Sequence, residues 1–215
     1  MKAITFHGDD LLHVQSYDGV SHEEWDKTTG PIVNLRKSLR DHYLAEQSFR
    51  CAYCRSVKKE THGLTWDVEH VIPKSTHAKF MYEPCNLAMA CKECNISKGN
   101  KNVLTKKLRA GQCMPTTPDS YVIIHPHYDA YSDHIEITNV DGKITHRPKN
   151  PHKGKETYLL CDLVRFAYKF AEWENFDVAI VDEFSRFVER CPTDATPAQI
   201  GAYMRTLRFT VKADF

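Results

Sequence analysis

Two short cysteine pairs constrain the fold of this 215-residue chain more than any other feature. Cys51 and Cys54 enclose two residues, Cys91 and Cys94 enclose two more, and 36 residues separate the pairs. Each pair can place two sulfur atoms on one side of an ion, so the four thiolates match the tetrahedral geometry of structural zinc. Two redox-active pairs or unpaired buried thiols are the alternatives, but a redox pair usually lies where a strand leads into a helix. We therefore predict a structural Zn²⁺ ion that has no open position for catalysis.

The rest of the sequence fits a reducing compartment. Charged residues appear near the N-terminus before any apolar run develops, and no stretch is long and apolar enough to span a bilayer. We therefore expect a cytoplasmic protein that has no membrane contact and no disulfide framework. The four remaining cysteines are expected to be small buried hydrophobic residues. They are Cys85, Cys113, Cys161 and Cys191.

Charge is distributed unevenly along the chain. The formal net charge of +1 argues against a protein that coats nucleic acid by charge alone. Residues 91–109 nevertheless carry six lysines or arginines against one glutamate, whereas residues 156–191 carry eight acids against four bases. The basic segment could meet phosphate groups, and the acidic segment is expected to meet something else.

Hydrophobic periodicity suggests three regions, which we expect to pack as one unit. An N-terminal segment and helix occupy residues 1–50, with a strand over residues 3–6 and a helix from Pro31 that buries every third or fourth residue. The cysteine-rich core spans residues 51–110. Residues 111–215 form loops, a strand over residues 121–124 and a hairpin that turns at Asp141 and Gly142. C-terminal helices follow.

The C-terminal helices are placed by their apolar faces and caps. One face runs from Leu160 to Ala171 and a second from Ile180 to Val188, with a break between them near residues 175–177. A last helix is expected to begin at Thr196 and Pro197.

The stretch "WDVEHVIPKS" lies between the cysteine pairs and concentrates ionisable side chains. On an extended strand Asp67 and Glu69 point to one face, whereas His70 points to the other. His70 can join the two acids only if the strand bends at its end, and Pro73 favours such a bend.

The pattern "EHVIPKS", followed by Asn86 and then by Asn95 directly behind Cys94, resembles the HNH endonucleases, in the H-N-N variant with a zinc ribbon. The resemblance covers about residues 50–101. It implies an α+β protein in which a ββα-metal core, framed by the four-cysteine zinc site, lies between an N-terminal helix and a C-terminal helical region.

The resemblance also implies a role for each matching residue. Glu69 and Asn95 would hold a catalytic divalent ion, Mg²⁺ or Mn²⁺. His70 would act as the general base, and Asn86 would fix the loop of the hairpin and orient the histidine. Many family members carry aspartate where this chain has Glu69, which leaves open whether Asp67 or Glu69 holds the metal.

These residue types also suit phosphodiester hydrolysis on chemical grounds. A hard, oxygen-liganded ion neutralises the phosphate and stabilises the leaving alkoxide. A neutral histidine can take a proton from the attacking water. Each residue alone has a simpler explanation, such as a solvated strand edge, a turn or a helix cap, so the prediction of a nuclease depends on their joint spacing.

Other polar residues could contact the substrate, for which we favour DNA over RNA. Candidates for phosphate contact are Lys74, Ser75, Lys98 and Lys101, within a basic patch that also includes Lys106 and Lys107. The histidines His125, His127 and His134 could form a second metal site, but their spacing fits no zinc pattern, and a packed loop that supports the nuclease core is favoured.

The segment from "IHPHYD" to "KGKET" is similar to HNH nuclease subunits of the PtuB type, which act with an ATPase in Septu and retron antiphage defence. This resemblance implies that the acidic C-terminal helices bind an ATPase partner. A homing or phage-type HNH nuclease and a zinc-stabilised nucleic-acid-binding module without catalysis are the alternatives. No separate DNA-reading motif is evident in the sequence.

Overall fold

The computed structural model describes residues 1–109, 111–140, 143–149 and 151–170, together with residues 186, 189, 190, 192, 195 and 196. Within these residues the chain combines helices with two separate two-stranded sheets, as the α+β expectation requires. No helix of the described part is both long and apolar enough to cross a bilayer. The boundaries of the three predicted regions stay a prediction.

An antiparallel hairpin and one helix form the central unit. Strand β1 (Trp66–His70) pairs with β2 (Leu87–Cys91), so that Trp66 lies opposite Cys91 and His70 opposite Leu87. Helix α3 (Lys92–Lys98) follows β2 directly and contacts both strands. This ββα arrangement places the end of β1 next to the helix, as the sequence predicted.

The N-terminal helices cover one side of this unit. Helix α1 spans Gly8–Gln15 and α2 spans Pro31–Glu46, with Pro31 at the first helical position. The predicted face of α2 is confirmed, because its side chains at positions 32, 35, 39 and 43 are buried and the helix contacts β1 and β2. A 3₁₀ turn (His22–Asp26) carries the buried Trp25 into the same core.

Two predicted strands are absent from the described structure. Residues 3–6 pair with no strand, because α2 side chains bind this segment: the Ile4 N–H donates to the Tyr43 hydroxyl at 3.2 Å. In residues 121–124 only Tyr121 pairs, in an isolated bridge with Leu104. The Ile124 N–H instead donates to the Thr157 hydroxyl at 2.8 Å, so a helix side chain replaces a strand partner.

The predicted hairpin around residues 141 and 142 is confirmed. Helix α4 (Tyr131–His134) leads into β3 (Ile135–Val140), which pairs antiparallel with β4 (Lys143–Pro148). Val140 lies opposite Lys143, as expected for a loop of two residues.

The helical face predicted from Leu160 onwards is interrupted. Helix α5 (Lys153–Leu160) ends before α6 (Val164–Phe170), because Asp162 adopts a positive φ of 49°. The Leu163 N–H donates to the Tyr158 carbonyl at 2.8 Å across this break, a bond typical of a helix C-terminus. Ala171, the second predicted face and the helix predicted at Thr196 and Pro197 lie outside the part described in sufficient detail to test.

The unpaired cysteines differ in their surroundings. Cys161 is buried, as predicted, and Cys85 is half-buried. The prediction for Cys113 is wrong, because it lies exposed in the proline-rich loop before Tyr121, where no described helix or strand covers it. Cys191 lies outside the described residues.

Candidate active site and four-cysteine cluster

The four paired cysteines come together in the core. Their sulfur atoms all lie within 4.8 Å of one another, and all four side chains are buried. The Ala52 N–H donates to the Met89 carbonyl at 2.9 Å, which fastens the first cysteine turn to β2. The Cys91 N–H donates to the Cys51 sulfur at 3.3 Å. Four buried sulfur atoms at this spacing fit a structural Zn²⁺ ion, because tetrahedral thiolate ligands are what such a site requires.

Arg165, in α6, adds a positive charge beside the cluster. Its Nη2 lies 3.0 Å from the Cys94 sulfur and 3.9 Å from the Cys91 sulfur, and its Nη1 donates to the Cys161 carbonyl at 2.6 Å. Although burial opposes the charge, the cysteine sulfurs raise the pKa of this guanidinium, which therefore stays protonated. Sequence reasoning missed Arg165, because it lies 71 positions after Cys94 and no motif connects them.

The strand and helix of the ββα unit line a cavity of about 770 Å³. Most residues that the sequence singled out for catalysis border this one space, and the lining includes Asp67, Glu69, His70, Lys74, Asn95 and Lys98. His70 thus shares a cavity with the two acids, although adjacent residues of a strand point to opposite faces. This is possible because β1 ends at His70. Asn86, Ser75 and Lys101 do not line the cavity.

Asn86 joins the two ends of the loop between β1 and β2. Its Oδ1 accepts the Ile72 N–H at 2.7 Å, and its Nδ2 donates to the Ile72 carbonyl at 3.1 Å and to the Phe80 carbonyl at 3.0 Å. The side chain is fully buried, so water does not compete for these bonds. These three bonds hold the loop between β1 and β2, whereas the role of Asn86 in orienting His70 stays a prediction.

His70 is held at the end of β1 by its ring. Nε2 lies 3.1 Å from the Met81 carbonyl, and the Trp25 ring packs edge-on at a centroid distance of 4.4 Å. A carbonyl can only accept, so Nε2 carries the proton and Nδ1 is the basic nitrogen. Burial, reinforced by Lys74 and Lys98, lowers the pKa of His70 from its usual value to about 3. The ring is therefore neutral near pH 7.

Glu69 lies in a buried network with two other side chains. The Lys98 ammonium is 2.6 Å from Glu69 Oε1, and the Tyr53 hydroxyl donates to the same oxygen at 2.8 Å. The Lys98 ammonium also donates to the His70 carbonyl at 3.0 Å. The sequence placed Lys98 on an exposed basic patch, but its side chain is buried in the cavity because Glu69 and this carbonyl compensate its charge. Tyr53 belongs to the first cysteine turn and connects the cysteine cluster to Glu69.

Asp67 contacts the helix rather than Glu69. Asn95 Nδ2 donates to Asp67 Oδ2 at 2.7 Å, and the Lys92 ammonium binds Asp67 Oδ1 at 2.5 Å. Both carboxylates and the Asn95 amide border the same cavity. Carboxylate and amide oxygens are hard donors, so this set fits a cation such as Mg²⁺ or Mn²⁺.

The remaining predicted phosphate contacts lie at the rim or beyond it. Lys74 binds Asp26 at 2.8 Å, and Ser75 is exposed in the loop after β1. Lys101 is exposed, with its ammonium 3.5 Å from the Leu160 carbonyl.

The histidines of residues 125–134 do not assemble into a metal site. His127 Nε2 donates to the Leu87 carbonyl at 2.8 Å, His134 lies 3.5 Å from Asp129, and His125 is buried with its Nδ1 accepting the His127 N–H. Among the described residues, the four cysteines are the only group of three or more histidine, cysteine, aspartate or glutamate side chains close enough to hold an ion. The segment instead supports the ββα unit through Leu87.

The comparisons with known proteins agree with this geometry. Residues 51–101 match the family described as HNH endonuclease, over the segment that contains both cysteine pairs and the ββα unit. These residues form an HNH endonuclease domain. Its activity class, a hydrolase of phosphodiester bonds, is the one predicted from the sequence. No curated protein and no solved structure gives a significant match to the chain.

Proposed function

We propose that the protein is a divalent-metal-dependent HNH endonuclease that cuts one strand of nucleic acid per site, with DNA as the favoured substrate. The observation that supports this most directly is the position of His70. Its Nε2 is bound to the Met81 carbonyl, which leaves Nδ1 as the basic nitrogen, and it borders the same cavity as Asp67, Glu69 and Asn95. A neutral histidine beside hard oxygen ligands is what water activation at a metal site requires.

Each residue of the cavity has a role that follows from its chemistry. Glu69 and Asn95 would hold Mg²⁺ or Mn²⁺, and Asp67 either adds a ligand or orients Asn95 through its 2.7 Å hydrogen bond. Such an ion, when bound, would supply positive charge that neutralises the scissile phosphate and stabilises the leaving oxygen. His70 Nδ1 accepts a proton from the attacking water, while the Nε2 bond to Met81 keeps the ring in place. Asn86 holds the loop that carries this carbonyl.

The cysteine cluster supports the site structurally. Four sulfur ligands leave a zinc ion no open position, so catalysis is assigned to the separate cavity. The Tyr53 hydroxyl ties the cluster to Glu69 over 2.8 Å, which makes zinc a determinant of where that carboxylate lies.

Plasmid nicking tests the proposal. Purified protein with Mg²⁺ or Mn²⁺ should convert supercoiled plasmid to the nicked form, and His70→Ala should slow this by about 10²–10⁴-fold, the usual contribution of a general base. Zinc content and the unfolding transition should be unchanged. His62→Ala, which alters an exposed histidine that does not line the cavity, is the matched control. Equal rates for His70→Ala and the parent would refute the assignment of the base.

The finer assignment, a nuclease effector of an antiphage defence complex, stays a prediction. It is supported by the resemblance to PtuB-type subunits and by the acidic charge of residues 156–191. Co-purification with an ATPase encoded by a neighbouring gene, and ATP-dependent stimulation of cutting, would support it. Cutting that needs no partner would favour a homing or phage-type nuclease, and binding without cutting would favour the non-catalytic module.

A further inference from the structure

A second cleft lies in residues 104–120, outside the segment that matches the HNH family. Its volume is about 600 Å³, and its lining contains three cations, Lys106, Lys107 and Arg109, but no acidic side chain. Thr105, Gln112 and Ser120 add neutral polar groups. The cleft therefore concentrates positive charge in a space large enough for an anionic ligand.

In the described part of the chain, the charges of this cleft lack protein partners, unlike three lysines that line the active-site cavity. Lys74, Lys92 and Lys98 each bind a carboxylate, at 2.8, 2.5 and 2.6 Å respectively. By contrast, the side chains of Lys106, Lys107 and Arg109 form no ion pair and no hydrogen bond with protein groups within the described residues. Neighbouring like charges repel, and an anion would relieve that repulsion.

Backbone donors strengthen this interpretation. Within the described residues, the N–H groups at positions 106, 107 and 108 donate to no protein acceptor. The flanking N–H groups are occupied: that of Thr105 donates to the Ser120 carbonyl at 3.0 Å and that of Arg109 to Gln112 Oε1 at 3.1 Å. Successive free N–H groups beside cationic side chains suit phosphate oxygens.

The cleft is also attached to the catalytic loop. The Lys79 ammonium donates to the Gln112 carbonyl at 2.5 Å, and Lys79 lies two residues before Met81, whose carbonyl binds His70. Because consecutive Cα atoms are about 3.8 Å apart, this path limits the separation between His70 and the cleft to on the order of 20 Å. A duplex carries a phosphate charge about every 1.7 Å along its axis, so one short duplex can reach both places.

We propose that this cleft binds backbone phosphates of the substrate duplex away from the scissile bond. The inference rests on the proposed nuclease function, since it assumes a nucleic-acid substrate, and it adds a specific docking site to it. Lys106, Lys107 and Arg109 supply the charge, and the free N–H groups donate hydrogen bonds to phosphate oxygens. Such contacts hold the duplex without reading its sequence.

The test removes the charge of the cleft in full-length protein. A triple variant, Lys106→Gln, Lys107→Gln and Arg109→Gln, is made on the His70→Ala background so that the probe stays intact. Its binding to a labelled 30-base-pair duplex is measured by fluorescence anisotropy from about 50 to 200 mM salt. Loss of about three phosphate contacts should make log K against log[salt] shallower by roughly 2.7, so that the variant loses about 40-fold less affinity over this range.

A matched variant controls for net charge. Lys143→Gln, Arg147→Gln and Lys149→Gln remove the same three charges from exposed positions in and after β4. On the His70→Ala background the control should keep the salt dependence of that background, and in the otherwise unchanged chain it should keep the nicking rate of the parent. Both triple variants should keep the zinc content and the melting temperature. An unchanged salt dependence in the cleft variant, or an equal change in the control, would overturn the proposal. So would saturation of the cleft by submillimolar inorganic phosphate without any effect on duplex binding.

Failure of the proposed function gives a different result. If the parent binds the duplex through the cleft but never nicks plasmid, the nuclease assignment fails while the cleft stands. If the parent nicks plasmid and the cleft variant binds duplex as the parent does, only the cleft assignment fails.

Discussion

Lys98→Met should destabilise the protein far more than substitution of a surface lysine. The Lys98 side chain is only 1% exposed and that of Glu69 3%, and 2.6 Å separates their charged atoms. Removing one partner leaves the other charge buried and uncompensated, which costs about 3–5 kcal/mol. This cost includes the loss of the hydrogen bond from Lys98 to the His70 carbonyl. In the described residues, the Tyr53 hydroxyl is the only other partner that we find for Glu69.

Urea unfolding of the zinc-loaded protein, followed by circular dichroism, measures this loss. Lys37→Met is the control, because Lys37 is 74% exposed and its pair with Asp41 should contribute less than about 0.5 kcal/mol. The double variant Lys98→Met with Glu69→Gln should regain part of the loss, since the uncompensated charge is then removed. A loss under about 1 kcal/mol for Lys98→Met, or strictly additive effects in the double variant, would refute the buried ion pair.

Two further predictions concern Arg165 beside the cysteine cluster and the buried His125. Arg165→Met should weaken zinc binding by about 10- to 100-fold, because it removes the cation that lies 3.0 Å from the Cys94 sulfur. Competition with a chelator measures the zinc affinity, and an unchanged affinity would contradict the importance of this contact. Burial lowers the pKa of His125 to about 2, so between about pH 6.5 and 2 the folded chain binds one proton fewer than the unfolded chain, and stability falls as the pH falls. His125→Asn should reduce this dependence by up to about 1.4 kcal/mol per pH unit in urea unfolding between pH 6.5 and 5.5; equal slopes would argue against it.

Local signals predicted the parts of the fold that local chemistry determines. Pro31 marks the start of α2, the Asp141-Gly142 signal in the sequence predicts the pairing of β3 with β4, and the cysteine spacing predicts the cluster. The ββα unit followed from a family pattern spread over the whole of residues 51–101. In each case the interacting residues are close in sequence or belong to a recognisable motif.

The predictions that the structure contradicts involve side chains whose hydrogen-bond or ion-pair partners are far away in sequence. Tyr43 and Thr157 bind backbone groups that the sequence pattern assigned to strands. Asp162 ends α5 without a glycine or proline, because aspartate tolerates the left-handed region better than most residues. Lys98 resembled a surface charge until the structure placed it against Glu69, 29 residues earlier, which no periodicity in α3 reveals.

Residues outside the segment that matches the HNH family hold the first cysteine turn in place. The Tyr131 hydroxyl donates to the Tyr53 carbonyl at 2.6 Å, and His146 Nε2 donates to the Cys54 carbonyl at 2.7 Å. These donors come from α4 and β4, whereas α2 contacts β1 and β2. The smallest unit that can be excised with its first cysteine turn intact is therefore larger than residues 51–101. A minimal nuclease cut from this chain would have to keep α2 and extend through β4.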